Sequence, residues 1–179
     1  IAVNNECKEL TAVLYQMNSV NESSEKEVVI SCEQAAHNSL SEPFTYTLSE
    51  EKNAVCQLAD RVETYLYEPG AALLKAGPYR LLSQRYGVKK LHPNSHLYTS
   101  SVQVDFPGRC FQVTGISGFG KKEVKELLSG LEKANLTVRN FPASVADLRK
   151  KLKLKEGGDV YLFATTLQNG EKVLIKCLK

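Results

Sequence analysis

Residues 159–179, DVYLFATTLQNGEKVLIKCLK, decide the fold class of this chain. Two apolar runs, 159–167 and 171–178, flank Asn169-Gly170, a pair typical of a type I′ turn, so the stretch predicts a β-hairpin. Upstream of it, the spacing of apolar residues predicts a helix over 121–134, a strand over 136–141 and a helix over 144–152. The order αβαββ, after a strand over 109–114, predicts a small α+β layer of about 60 residues.

The first two thirds of the chain predict a second α+β unit. We expect strands over 27–33, 44–48 and 65–67, and helices over 6–17, 49–62 and 79–86, with a further helix beginning at Pro69. The glycine-rich stretch Gly115–Gly120, GISGFG, has the composition of a connection. We therefore predict a surface linker there, between two separately packed cores.

Composition limits the classes of protein to which the chain can belong. It has 179 residues, of which 42% are hydrophobic, and no apolar run long enough to span a membrane. The cysteine count of five is odd, and the cysteines are widely spaced, which favours reduced thiols in a cytoplasmic protein over disulfides or a zinc knuckle. Because the chain opens at Ile1 on a strand pattern, we expect a piece of a longer protein.

Charge is divided along the chain. Residues 1–68 carry a net charge of −8, and residues 69–179 carry +11. A basic portion of this size would attract a polyanion such as RNA or DNA. Two alternatives stay open: the acidic front and the basic back face each other inside the molecule, or the charges are simply solvated.

The most concentrated basic group lies on the predicted helix 144–152 and around it. Val145, Leu148 and Leu152 define its inner face, which places Arg149, Lys150 and Lys153 on the solvent side. With Lys151, Lys155 and Arg139, these residues form a candidate surface for RNA phosphates. An ordinary solvated helix with a basic C-terminus is the equally weighted alternative.

Other motifs give weaker indications. GISGFGK has the glycine and lysine spacing of a P-loop, but Lys122 stands where a Ser or Thr would hold Mg²⁺. The same stretch contains the GxxG spacing of a KH domain, but that motif lies between two helices, and here a strand precedes it. His92 and His96 are four apart, but Pro93 predicts a turn and not a metal-binding helix. Tyr161 and Phe163 share a strand face, where core packing is favoured over base stacking. We assign no catalytic, cofactor-binding or metal-binding residue.

Several long peptides carry a resemblance to a known family. They are YLYEPGAALLKAG at 65–77, KLHPNSHLYTS at 90–100, FPGR at 106–109, ANLTVRNFP at 134–142 and LRKKLKLKEGGDVYLFATT at 148–166. They resemble the C-terminal half of bacterial class I S-adenosylmethionine-dependent methyltransferases with a THUMP-like domain. Residues 1–20 resemble the closing strand and helix of that family's Rossmann-like domain. Gly70 and Pro78 depart from the pattern.

The resemblance implies three regions: a remnant of the methyltransferase domain over 1–26, a ferredoxin-like α+β domain over 27–117 and a THUMP-like domain over 118–179. It implies that S-adenosylmethionine binds the parent protein, upstream of this chain, and that the chain presents RNA to the enzyme. Four more candidate RNA-binding residues lie within the resembling peptides: Lys75, Lys90, His92 and Arg109. The alternatives are a structural module that packs on the catalytic domain without nucleic acid and, more remotely, a self-contained enzyme.

Overall fold

The computed structural model describes residues 1–3, 6–7, 28–36, 39–40 and 42–179. Six short strands come first: β1 Ala2–Val3, β2 Glu6–Cys7, β3 Val29–Cys32, β4 Gln34–Ala36, β5 Ser39–Leu40 and β6 Phe44–Thr47. They form a sheet of order β2-β1-β4-β5 and a separate antiparallel pair, β3 with β6. The predicted helix over 6–17 is wrong at its start, where β2 forms, and the rest of it lies outside the described residues.

A seven-stranded sheet forms the framework of the rest of the chain. Its strands are β7 Tyr65–Pro69, β8 Lys89–Lys90, β9 Tyr98–Ser100, β10 Gly108–Ser117, β11 Asn135–Arg139, β12 Val160–Thr166 and β13 Lys172–Leu178. Their order is β11-β12-β13-β10-β7-β9-β8, and only β11 and β12 run parallel. The predicted hairpin at the C-terminus is confirmed as β12 and β13, joined through Gly170 at φ +85°.

The described residues contain five helices: α1 Leu48–Asn53, α2 Ala71–Ala76, α3 Tyr79–Tyr86, α4 Lys121–Leu127 and α5 Val145–Leu152. The predicted helix over 49–62 ends early, because the backbone after Asn53 turns extended and Gln57 and Ala59 bond to Lys90. The predicted helix over 121–134 also stops early, in a turn whose Gly130 has a φ of +72°. None of the described helices, at most eight residues long, could span a bilayer.

The predicted linker at Gly115–Gly120 is wrong for its first half. Gly115, Ile116 and Ser117 belong to β10, which pairs with β7 at one end and with β13 at the other. Gly115 packs closely against α4, since a Cβ there would lie 2.7 Å from Cδ1 of the Leu127 side chain. One continuous sheet therefore joins the two units, and we do not expect a protease to cut first within 115–117.

The two units also share a core. On one face of the sheet, Tyr67 packs with α2 and α3, and Leu162 packs with α5. On the opposite face, one cluster joins Leu66 and Leu97 to Phe163 and Ile175, across both units. The prediction of two separately packed cores is thus wrong, because β10 contributes Phe111 to the shared cluster. The cysteines whose side chains are described, at 32, 56, 110 and 177, are all unpaired.

Candidate functional site

The structure separates the predicted basic residues into two groups. Lys150, Lys151, Lys153 and Lys155 are exposed on α5 and just after it. Arg109, Arg139 and His92 lie instead on the sheet face opposite the helices and in the turn beside it. Lys75 is exposed at the end of α2, apart from both groups.

Two members of the first group, Lys151 and Lys153, border a cleft of about 580 Å³ between α4 and the end of α5, which we call the lysine cleft. Lys121 and Lys125 line it from α4, Lys151 lines it from α5, and Lys153 lines it from the residue after α5. Its remaining lining is mainly apolar: Phe119, Val124, Leu128, Leu131 and Leu152, with Ser129 and Gly130. Four cations therefore surround an apolar floor.

The charges of the lysine cleft are uncompensated within the described part of the chain, where none of its four lysines forms an ion pair. The Lys151 Nζ lies 5.9 Å from the centroid of the Phe119 ring, which packs on Phe141 at 4.7 Å between centroids. Lys121 and Lys125 are not among the RNA-binding residues predicted from the sequence. Their spacing of four residues on a helix that begins after Gly120 was the available signal.

Local sequence explains how α5 is placed. The Ser144 Oγ caps the helix by accepting from the Asp147 N–H at 3.1 Å. Leu148, 2% exposed, anchors the inner face. At the other end, Lys153 adopts the left-handed conformation with a φ of 56°, which ends the helix and points the chain back to the sheet.

The prediction that Arg149 points to solvent is wrong. Its side chain is 20% exposed, its Nη1 donates to the Ala134 carbonyl at 3.2 Å, and its Nη2 lies 3.9 Å from Glu156. Lys90, another predicted RNA contact, is 4% exposed and donates to the Pro93 carbonyl. Both side chains are thus engaged within the fold.

The second group surrounds Glu68, whose carboxylate is 1% exposed. Nε and Nη2 of Arg109 both donate to its Oε2, and the Nε contact is 3.0 Å. Nε and Nη2 of Arg139 donate to Oε1 at 3.1 and 2.8 Å. The two arginines therefore hold one buried carboxylate from both sides, and because β7 and β11 are far apart in the sheet order, this contact closes the curved sheet.

The turn that contains His92 completes this arrangement. The His92 Nδ1 accepts from the Asn94 N–H at 3.0 Å and lies 3.0 Å from the Asn140 Nδ2. An acceptor at Nδ1 places the ring proton of neutral His92 on Nε2. The Thr166 hydroxyl donates to the Asn140 carbonyl at 2.7 Å. We call Glu68, Arg109, Arg139, Asn140 and His92 the Glu68 cluster.

His96 and Lys90 lie next to it. The His96 ring stacks on Tyr79 at 3.7 Å between centroids, and the Lys90 Nζ lies 5.1 Å from the same Tyr79 ring. Burial, followed by the charges of Lys90 and Arg139, lowers the pKa of His96 to about 4. His92 and His96 lie in and just after a turn, as predicted. Among the described residues, no group of three or more His, Cys, Asp or Glu side chains is placed to hold a metal ion.

Ion pairing between the acidic front and the basic back is present, but it is partial. Four pairs in the described part of the chain join the two portions: Glu50–Arg85, Glu63–Lys89, Glu68–Arg109 and Glu68–Arg139. Glu51 adds a further link by accepting from the N–H groups of Arg80 and Leu81 at the start of α3. These contacts involve arginines and Lys89, whereas the lysine cleft stays outside them.

The glycine-rich stretch 115–120 does not fit a phosphate-binding loop or a cofactor site. The Glu123 carboxylate fills the space beside Gly118 and Gly120, and its Oε2 would lie 2.5 Å from a Cβ at Gly118. A carboxylate at this position would repel a phosphate. We therefore derive no nucleotide chemistry from the stretch.

Comparison with known proteins agrees with this architecture. Residues 65–107 match a family described as ferredoxin-like domain, and residues 108–179 match a family described as THUMP domain-like. The two matches meet at the start of β10, whereas the sequence analysis placed the boundary between 117 and 118. No curated protein is significantly similar in sequence.

One solved structure is similar over most of the chain. It is described as "putative methyltransferase from Porphyromonas gingivalis W83", with 38% sequence identity and a TM-score of 0.79. The match covers 85% of this chain and 38% of the other, so the chain spans well under half of that protein's length. The chain thus consists of mixed α and β structure with a ferredoxin-like domain followed by a THUMP-like domain, and it is related to a protein described as a methyltransferase.

Proposed function

We propose that this chain is the RNA-recognising region of a longer bacterial, cytoplasmic methyltransferase that uses S-adenosylmethionine. In this proposal the catalytic residues and the cofactor site lie upstream of Ile1, and residues 1–26 complete the Rossmann-like domain. The observation that carries the RNA part of the proposal is the lysine cleft, where four uncompensated cations border an apolar floor in the THUMP-like domain.

The chemistry of the cleft suits a single-stranded or end segment of RNA. Lysine ammonium groups bind backbone phosphates as point charges, without sequence preference. An aromatic and aliphatic floor accepts an unstacked base, which a groove lined only with charges would not do. In this role Lys121, Lys125 and Lys151 hold the strand, Phe119 offers its ring to a base, and the exposed Lys150 and Lys155 extend the positive surface.

Salt-dependent RNA binding tests the proposal. We would titrate a fluorescent single-stranded oligoribonucleotide against the wild type and a triple alanine variant of Lys121, Lys125 and Lys151. Lys153 stays unchanged, because alanine at its φ of 56° would add strain. A matched control replaces three exposed lysines away from the cleft: Lys52, Lys172 and Lys179.

We expect the cleft variant to reduce the slope of log K against log salt by about 2, since each phosphate contact with a single strand contributes about 0.7. The control should shift the slope by much less. Equal slopes for the two variants would remove the cleft from the RNA surface. An absence of RNA binding by the wild type would favour the alternative, a structural module that packs on the catalytic domain.

Calorimetry tests the place of the cofactor. We expect no heat of S-adenosylmethionine binding to this chain, and binding to a parent protein that contains the upstream domain. Micromolar binding by this chain would refute the division of roles proposed above.

A further inference from the structure

The two arginines of the Glu68 cluster retain donor capacity that the fold does not use. Each arginine donates from Nε and Nη2 to one oxygen of Glu68, and within the described residues neither Nη1 makes a hydrogen bond. Their side chains are 33% and 37% exposed, whereas Glu68 is 1% exposed. The negative charge is therefore covered, and the positive charge faces outward.

Other donors lie beside these guanidinium groups. His92, whose Nδ1 accepts from Asn94, carries a proton on Nε2 in a half-buried position. Thr165 is the cross-strand partner of Arg139, and its Oγ1 is buried without a hydrogen-bond partner in the described part of the chain. A buried hydroxyl without a partner is unusual and indicates a bound water or ion.

The backbone near the cluster adopts the left-handed conformation at two non-glycine residues. His96 and Asn140 have positive φ angles, of 52° and 50°. Such residues are uncommon and cluster at ligand sites, where surrounding contacts maintain them. Here the Asn140 side chain and carbonyl are fixed by His92 and Thr166, so this conformation is held directly after Arg139.

We propose that the Glu68 cluster binds a phosphate group through the outward Nη1 atoms of Arg109 and Arg139, with His92 as an additional donor. Two arginines against one covered carboxylate leave a net charge of +1, which an anion would compensate. Glu68 orients both guanidinium groups before the ligand arrives, which lowers the entropic cost of binding. Burial is the main cause of the low pKa of the neighbouring His96, and the positive charges of Lys90 and Arg139 lower it further.

The phosphate can come from two sources, free phosphate compounds or the RNA backbone, and the experiment separates them. Inorganic phosphate would be titrated into the isotope-labelled full chain at constant ionic strength, with chloride as the exchanged anion. The arginine Nε–H NMR signals report binding. We expect saturable shifts of the Arg109 and Arg139 signals and no shift of the exposed Arg61.

The single variants Arg109→Lys and Arg139→Lys test whether binding needs the planar guanidinium groups, because each substitution keeps the positive charge and removes the paired N–H donors. We expect at least a tenfold weaker affinity for phosphate in each variant, with the circular dichroism spectrum of the wild type. Arg61→Lys is the matched control and should bind as the wild type does. Wild-type signals that do not saturate with phosphate, or equal affinity in all variants, would overturn the proposal.

A second titration uses the oligoribonucleotide in the presence of saturating phosphate. If phosphate weakens RNA binding, the site takes a backbone phosphate; if it does not, the site takes a free phosphate compound. This inference stands apart from the lysine cleft. A salt slope that the cleft variant does not reduce, with saturable phosphate binding intact, would refute only the RNA proposal. A reduced slope in the cleft variant, without saturable phosphate binding at Arg109 and Arg139, would refute only this inference.

Discussion

Removal of the charge of Glu68 should destabilise the whole sheet. In Glu68→Gln one oxygen becomes an NH₂ group, so one arginine faces a donor, and both arginines lose their countercharge. Breaking a buried ion pair by removing one partner costs about 3–5 kcal/mol. Because Arg109 and Arg139 are about one third exposed and water can replace part of the lost contact, we expect about 2–4 kcal/mol.

Urea unfolding at equilibrium, followed by circular dichroism, measures this loss. The shared core predicts a single transition, so the free energy of unfolding is well defined if the m-value stays constant. Glu63→Gln is the matched control, because Glu63 pairs at 2.7 Å with Lys89, whose side chain is 43% exposed. Such a pair contributes under about 1 kcal/mol and weakens with salt, whereas the Glu68 contribution should persist at high salt.

A loss at Glu68 no larger than the loss at Glu63 would refute the argument. It would mean that the two arginines find equivalent partners in water. The closure of the sheet would then depend on the shared apolar cluster alone. A second unfolding transition in Glu68→Gln would be a different result, since it would show that the two units separate when this contact is lost.

Three further predictions concern packing and pH. Gly108→Ala should cost more than about 2 kcal/mol in urea unfolding, because its Cβ would lie 2.2 Å from the carbonyl oxygen of Glu68; a near-neutral result would contradict the close approach of β7 and β10. In the same assay, Leu148→Ala should reduce the free energy of unfolding by about 2–5 kcal/mol and Lys150→Ala by under about 0.5 kcal/mol. Similar reductions for the two variants would contradict the burial of Leu148 on the inner face of α5. His96 has a pKa of about 4 in the fold and about 6.5 unfolded, so its stabilising contribution is complete above pH 6.5 and declines as the pH falls toward 4. His96→Asn, which tolerates the positive φ, should therefore lose less stability than the wild type between pH 7 and 5.5 in urea unfolding, and an equal loss would contradict burial of the ring.

Local sequence was sufficient wherever a short-range pattern sets the structure. The hairpin around Gly170, the helix predicted over 144–152 and the turn at His92 depend on a few neighbouring residues, and all three are confirmed. The charge division was also visible in the sequence. Lys150 is exposed as predicted because helical periodicity places it opposite Leu148.

Only the tertiary structure decided the roles of Glu68 and Gly115. Glu68 is separated from Arg109 by 41 residues and from Arg139 by 71, and no local pattern reports such pairs. Gly115 has the appearance of a linker residue, but it lies within β10 and packs against the Leu127 side chain. Propensity describes a residue and its neighbours along the chain, whereas the closure of the sheet and the partners of its charges depend on strands that meet only after folding.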